Sequence, residues 1–157
     1  MQPEFDEEAL LDQIMGVMEA AFPPTFGERW TRAQVSGTIF LPNYSWGLAW
    51  RHGEPRTPNE QAAGFYMSRF TYDEEELLLI GVQPIYRRHG LATRLLDDLE
   101  HNARERGAKR LLLEMRAGNP AELLYRQRGF RQIGTRKKYY CSADGKRIDA
   151  LTFACKI

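Results

Sequence analysis

The chain has 157 residues, 43% of them hydrophobic, with a formal net charge of +1. That length and composition suit one globular domain spanning residues 1–157, since domains commonly hold roughly 100–150 residues. The near-neutral charge leaves no electrostatic footprint for direct nucleic-acid binding, and no apolar run reaches the ~20 residues that cross a bilayer.

The chain opens on MQPEFDEEALLDQ. This stretch is acidic and amphipathic, with no basic start ahead of an apolar segment, so no signal or transit peptide is expected. Apolar residues at Leu10, Leu11, Ile14, Met15, Val17, Met18, Ala21 and Phe22 predict a helix over Glu7–Phe22, broken by Pro23, Pro24 and Gly27. A short helix follows, capped by Thr31 and stopped at Gly37. Strands are expected at Thr38–Leu41, Trp46–Arg51 and Gly64–Phe70, the last two joined through the polar, exposed loop HGEPRTPNEQ.

Glu75–Val82 reads as a strand, and its LLLI run as a segment covered on both faces. Leu91, Leu95, Leu96, Leu99 and Ala103 then form one stripe on a helix over Gly90–Arg106, ended by Gly107. Lys109–Met115 is a further buried strand, so the strand–helix–strand order implies a parallel pair with a right-handed crossover. A helix over Pro120–Arg128 and two strands, Phe130–Tyr140 and Ile148–Ile157, complete a mixed α/β architecture with helices on the sheet's faces.

The sharpest chemical signal is Arg87-Arg88-His89-Gly90-Leu91-Ala92, between a strand and a strong helix. A helix start offers unpaired N–H groups and about half a positive charge to an anion. Gly90 lets phosphate oxygens approach the backbone, and Ala92 keeps the following turn small. Spacing alone weighs this equally against a glycine-containing helix start with solvated arginines. The Gly-x-x-x-x-Gly-Lys-Ser/Thr pattern of a nucleotide P-loop is absent.

The run Ile80-Gly81-Val82-Gln83-Pro84-Ile85-Tyr86-Arg87-Arg88-His89-Gly90-Leu91-Ala92 resembles the coenzyme A motif of the GNAT N-acetyltransferases, Gln/Arg-x-x-Gly-x-Gly/Ala. Leu113–Asn119, Leu124-Tyr125, Gly129-Phe130, Arg136–Tyr140, Asp144-Gly145 and Asp149-Ala150 resemble the RimI-type ribosomal-protein-alanine N-acetyltransferases. The resemblance implies a GNAT fold, a central mixed and mostly antiparallel sheet whose parallel strand–helix–strand unit binds acetyl-CoA. It implies an N-acetyltransferase using acetyl-CoA as co-substrate and acting on the N-terminal α-amine, alanine for preference, of a ribosomal protein or other peptide in the cytoplasm. A small amine or a lysine side chain is the alternative acceptor, and a non-catalytic acyl-CoA-binding domain the alternative of another class.

Carried over residue by residue, Glu114 is the base and Tyr125 the acid for the leaving thiolate. Read without the family, Glu114 pairs with Arg116 or another surface charge, and Tyr125 packs a helix on the sheet. Ile80, Gly81, Val82, Arg87, Arg88, His89, Gly90, Leu91, Ala92, Thr93 and Asn119 are expected to contact the cofactor. The N–H of Val82 is the expected carbonyl donor, in a strand whose bulge Gly81 permits, and Asn119 is alternatively a helix cap. Tyr139 and Tyr140 are the expected acceptor-binding pair, or simply pack a hairpin. No clustered Cys/His/Asp set points to a metal, and the two cysteines, Cys141 and Cys155, suit a reducing compartment. One departure from the family bears on the acceptor: Pro24–Arg29 separates Ala21-Phe22-Pro23 from Trp30-Thr31, in the loop that borders the acceptor groove in this fold.

Overall fold

The computed structural model describes residues 4–157. Helix α1 (Glu7–Ala21) starts on Asp6, whose carboxylate accepts from the Ala9 N–H at 2.7 Å, and Glu7 and Glu8 add favourable charge in its first turn. A 3-10 turn (Pro24–Phe26) leads to α2 (Arg32–Ser36), where Thr31 and Gln34 cap each other reciprocally. Then come β1 (Tyr44–Ala49), β2 (Gly64–Thr71), β3 (Glu74–Val82), α3 (Leu91–Glu105), β4 (Arg110–Arg116), α4 (Glu122–Gln127), β5 (Arg131–Cys141) and β6 (Arg147–Lys156).

The strands form one sheet in the order β1-β2-β3-β4-β6-β5, in which β3 and β4 are parallel and every other pair antiparallel. This matches the mixed sheet and crossover read from the sequence. The expected strand at Thr38–Leu41 does not form. Those residues continue the turn of α2, with Thr38 and Ile39 N–H both donating to Val35 O. Only Ile39 of that apolar run is buried, while Phe40 and Leu41 stay exposed. One anchoring side chain per turn stabilises the turn without requiring a strand.

Two cores lie on opposite faces of the sheet. Leu91, Leu95, Leu96 and Leu99 of α3 pack with Leu111, Leu113, Tyr125 and Phe153. Leu10, Ile14, Val17 and Met18 of α1 pack with Phe65, Met67 and Leu79 on the other side. Burial of each such side chain favours folding by roughly 1.5–3 kcal/mol. The LLLI run serves both cores. Its alternation is broken between Leu77 and Leu79, where the β2 register slips at Met67/Ser68. Leu77 and Ile80 therefore join the α3 side, and Leu78 and Leu79 both join the α1 side.

Candidate active site

β3 and β4 are paired only from Glu74 to Leu77 and from Arg110 to Leu113, although β3 runs on to Val82 and β4 to Arg116. Beyond Leu113, β4 follows β6 as far as the Arg116–Ala150 pair, so the parallel strands part and leave a wedge between them. The bulge that starts this divergence is at Leu78, not beside Gly81 as the sequence suggested. Gly81 has a different duty: a Cβ there would lie 2.9 Å from the Phe22 ring and 3.2 Å from Ala21 Cβ, so its hydrogen lets the end of α1 rest on β3. Gln83 N–H donates to Ala63 O at 2.8 Å, and strand alternation then turns the Val82 N–H away from β2, into the wedge.

At the mouth of the wedge lies the start of α3. Gly90 caps the helix at φ 76° and Arg88 has φ 67°, so two left-handed residues curl the chain into a backbone concavity suited to an anion. No side chain caps α3 among the described residues, which leaves the N–H groups of its first turn, Leu91, Ala92 and Thr93, available. A Cβ built on Gly90 meets no atom within 4 Å, so the approach is open. The Leu91 side chain is buried and can offer only its N–H. Arg87 is turned inward, donating to Val82 O at 3.2 Å and Ala21 O at 3.3 Å, while the His89 ring is held 2.8 Å from Arg87 O. Arg87 nonetheless stays exposed overall, as does Arg88, whose side chain makes no hydrogen bond among the described residues.

On the α1 face of the sheet the wedge opens into a cleft of about 760 Å³, whose walls include Phe26, Glu28, Glu114, Asn119, Tyr125, Arg136, Tyr139 and Tyr140. Both expected acid–base residues and both expected acceptor-binding tyrosines thus share one cavity with Asn119. Glu114 does not pair with Arg116. Its carboxylate accepts from Arg136 Nε at 2.9 Å and Nη2 at 2.5 Å, and faces Thr152 Oγ1 at 3.4 Å. This two-point pair raises the Arg136 guanidinium above its ordinary range. Arg116 instead donates to Glu28 at 2.9 Å and stacks 3.7 Å over the Phe26 ring.

Tyr125 is 5% exposed and meets Phe130 edge-on at 5.8 Å, so it packs on the sheet and lines the cleft as well. Burial, then the negative charge of Glu28, holds its hydroxyl protonated well above the ordinary phenol range. Asn119 has a local duty too, its side-chain oxygen accepting from the Ala121 N–H at 3.0 Å as the chain turns into α4. Tyr139 and Tyr140 would point to opposite faces of a regular strand. A break in the β5–β6 register between Arg136 and Tyr140, with Lys138 at φ 55° and its N–H on Asp149 at 2.9 Å, brings both to the cleft. Their rings meet edge-on at 5.1 Å, and Arg136 stacks 3.9 Å over Tyr139. Burial, then Glu114 and Glu28, pushes the Tyr140 hydroxyl up to about 12.

Glu28, Phe26, Arg116 and Arg136 were not singled out from the sequence as site residues. Their contacts depend on strand register and on the path of the Pro24–Arg29 insertion, which no local pattern encodes. The sequence signals were the insertion, with an acid and an arginine at its end, and the family-like runs that contain Arg116 and Arg136.

Residues 11–130 match the family model described as acetyltransferase (GNAT) family. The ribosomal protein bS18-alanine N-acetyltransferase of Haemophilus influenzae is 36% identical over 97 residues, covering 62% of this chain and 66% of the relative. The protein of the same name from Escherichia coli (strain K12) is 39% identical over 102 residues, 64% of this chain and 68% of its own. The crystal structure of the ribosomal-protein-S18-alanine N-acetyltransferase from Escherichia coli superposes with a TM-score of 0.80 at 28% identity, over 99% of this chain and 92% of that one. An aminoglycoside 6'-N-acetyltransferase crystallised with coenzyme A shares the fold, with a TM-score of 0.75 at 18% identity over 98% of this chain and 95% of that one.

Proposed function

The chain belongs to the acetyltransferase (GNAT) family, and from that premise we propose that it acetylates the free N-terminus of a peptide, the N-terminal alanine of a ribosomal protein for preference, with acetyl-CoA as co-substrate. The observation that carries this reading is the convergence of Glu114, Tyr125, Tyr139 and Tyr140 on one cleft, at the end of a wedge whose mouth is an uncapped helix start. The relatives that carry the bS18-alanine name support the acceptor. The match covers about two thirds of the first of them, 66% of its length. We assign the whole described chain to one domain acting in the cytoplasm, where its two free thiols stay reduced.

The residues present fit the co-substrate. The Gly90 concavity and the N–H groups of Leu91–Thr93 suit a pyrophosphate, and the wedge suits an extended pantetheine arm lying between β3 and β4. When bound, acetyl-CoA supplies a thioester carbonyl and a thiol leaving group. Val82 N–H, aimed into the wedge, donates to the carbonyl oxygen. Glu114 accepts the proton that the amine sheds, directly or through water. An α-amine has a pKa of ~8, so this transfer is within reach of a carboxylate assisted by position. Tyr125, kept protonated, returns a proton to the departing sulfur. The two cleft tyrosines hydrogen-bond the peptide backbone and hold the amine in place, and that confinement contributes a large share of the acceleration.

The test is thiol release from acetyl-CoA with an Ala-start peptide in competition with its N-terminally blocked, lysine-containing twin. Faster turnover of the free α-amine is expected. A second reading, a small-molecule amine as acceptor, draws on one contact: Thr25 O accepts from Ala143 N–H at 2.7 Å, tying the insertion to the β5–β6 turn across the groove. A free small amine outcompeting both peptides would establish that reading in place of the first. No thiol release with any amine would leave an acyl-CoA-binding domain.

A further inference from the structure

The Pro24–Arg29 segment is a built part of the cleft. Arg29 pins it by donating to Phe22 O at 2.9 and 2.6 Å and to Glu19 O at 3.0 Å. Gly27 turns it at φ 64°, and Thr25 holds it to the β5–β6 turn. What this scaffold presents to the cavity is Glu28, with a side chain 20% exposed. One of its oxygens, Oε1, accepts from Arg116 Nε at 2.9 Å. The other, Oε2, accepts no hydrogen bond among the described residues, although the residue lines the cleft beside Tyr125 and Tyr140. The charge of Glu28 reaches both phenols, raising each.

Glu114 is differently placed. Both of its oxygens are already engaged by Arg136. Arg116 backs Glu28 from one side only and is itself held flat on Phe26, so it fixes the direction of the carboxylate without covering it. A protonated amine carries three N–H donors and arrives charged for most of the time near neutral pH, since its pKa is ~8. A carboxylate with one open oxygen in a partly dehydrated cleft is the complementary partner.

Resting on the acetyltransferase reading above, we propose that Glu28 is an acceptor-binding residue: its Oε2 receives the ammonium form of the incoming amine, and so makes the insertion a selector for cationic, unblocked acceptors. The amine is held by Glu28 through one N–H while another faces Glu114, which takes the proton. Neutral or N-terminally blocked ligands lack the charge and leave this oxygen without a partner.

The experiment is calorimetric titration of an Ala-start peptide and of its N-terminally acetylated twin into the protein saturated with coenzyme A, which cannot react. Wild type is expected to favour the free peptide by about tenfold, the scale of one hydrogen bond between charged partners, and to lose part of that ratio in high salt. Glu28→Gln keeps the acceptor oxygen for Arg116, so the fold should persist with an unchanged Tm while the ratio collapses toward one. Glu28→Asp, which retains the charge, should keep a measurable preference, and it carries the test should the glutamine variant not fold. An undiminished ratio in E28Q, or no ratio in wild type, overturns the assignment. Because binding is read without turnover, this outcome is separate from the thiol-release assay: acetylation of the peptide with an unchanged ratio in E28Q would sink Glu28 alone, and a Glu28-dependent ratio without acetylation would sink the acetyltransferase reading alone.

Discussion

At the scale of single residues, the cleft holds a carboxylate fixed by a guanidinium and a phenol fixed by burial. If Glu114 acts as base only while the amine attacks, Glu114→Gln should lower kcat far more than it changes KM for acetyl-CoA. Loss of a positioned base is worth roughly 10²–10⁴-fold, read from initial rates. Tyr125 has a sign that can be worked out. Burial and Glu28 raise its pKa, so the acid form persists above the ordinary phenol value of ~10. Any alkaline fall in rate below that pH belongs to another group. Tyr125→Phe should therefore lower kcat while leaving the alkaline limb where it is; a limb that disappears in the variant would show Tyr125 titrating there after all, and an unchanged kcat would remove Tyr125 from the acid role. Glu114 and Tyr125 were named from the sequence because they occupy matching positions in a dense run of family-like residues. The Arg136–Glu114 pair was beyond reach there: Arg136 stands opposite Ala150, and Ala150 opposite Arg116, so the contact exists only once β6 has been laid between β4 and β5.

Elements set the two approaches to the wedge. The helix start at Gly90 was legible because a strand, a small-residue turn and a strong apolar stripe are all local patterns. Substitution there imposes strain from the positive φ of about 1 kcal/mol, whatever the side chain. Gly90→Ala should thus retain most of the thermal shift given by coenzyme A, whereas Gly90→Glu, with bulk and negative charge at the same point, should abolish it. A saturating ligand at 100 times its Kd is worth about 2.7 kcal/mol, enough to read by thermal unfolding. The end of α1 was less legible. The helix has no basic residue in its last turn, and its C-terminal carbonyls are met instead by Arg29, eight residues beyond Ala21, and by Arg87 from the loop before α3. The spacing to Arg29 is set by the insertion, so capping and insertion come as one device. Arg29→Ala should cost about 1–3 kcal/mol by freeing those carbonyls, measured by urea unfolding, and Arg29→Lys should recover only part, since an ammonium cannot span two carbonyls as a planar fork does.

Over the whole molecule, the sheet order follows from a few sequence features: a hairpin, a strand–helix–strand unit and a final hairpin. The place where the sheet parts did not follow, because a one-residue slip at Met67/Ser68 against Leu77 and Leu79 has no signature in an unbroken LLLI run. The far end of the same strand holds the sheet closed, and it carries an ionisable group that links stability to pH. Glu75 is 1% exposed, accepts from Ser68 Oγ at 2.6 Å and faces Arg106 at 3.6 Å, and its second oxygen has no hydrogen-bond partner among the described residues. Burial is the largest influence on its carboxyl and raises it above the ordinary value, against the lowering effects of Ser68 and Arg106. A group whose pKa is higher in the fold than in the unfolded chain contributes fully below the unfolded value and loses that contribution as pH rises through the folded one. Ionised Glu75 is thus a burden that grows as the solution leaves the acid range. Glu75→Gln keeps the shape and an oxygen for Ser68 and Arg106, and removes the titration. Its unfolding free energy relative to wild type should move in favour of the variant as pH rises above the unfolded carboxyl value of ~4.3, followed by urea denaturation from acid to neutral pH. Asp144, whose carboxyl is lowered first by Ser142 and then by the Lys146 backbone, has the opposite sense, present above its unfolded value and lost on acidification, but it lies exposed on the β5–β6 turn and is common to both proteins. A difference that stays flat with pH would mean that Arg106 keeps Glu75 ionised in the fold, and that the second unpaired oxygen is tolerated as a charge.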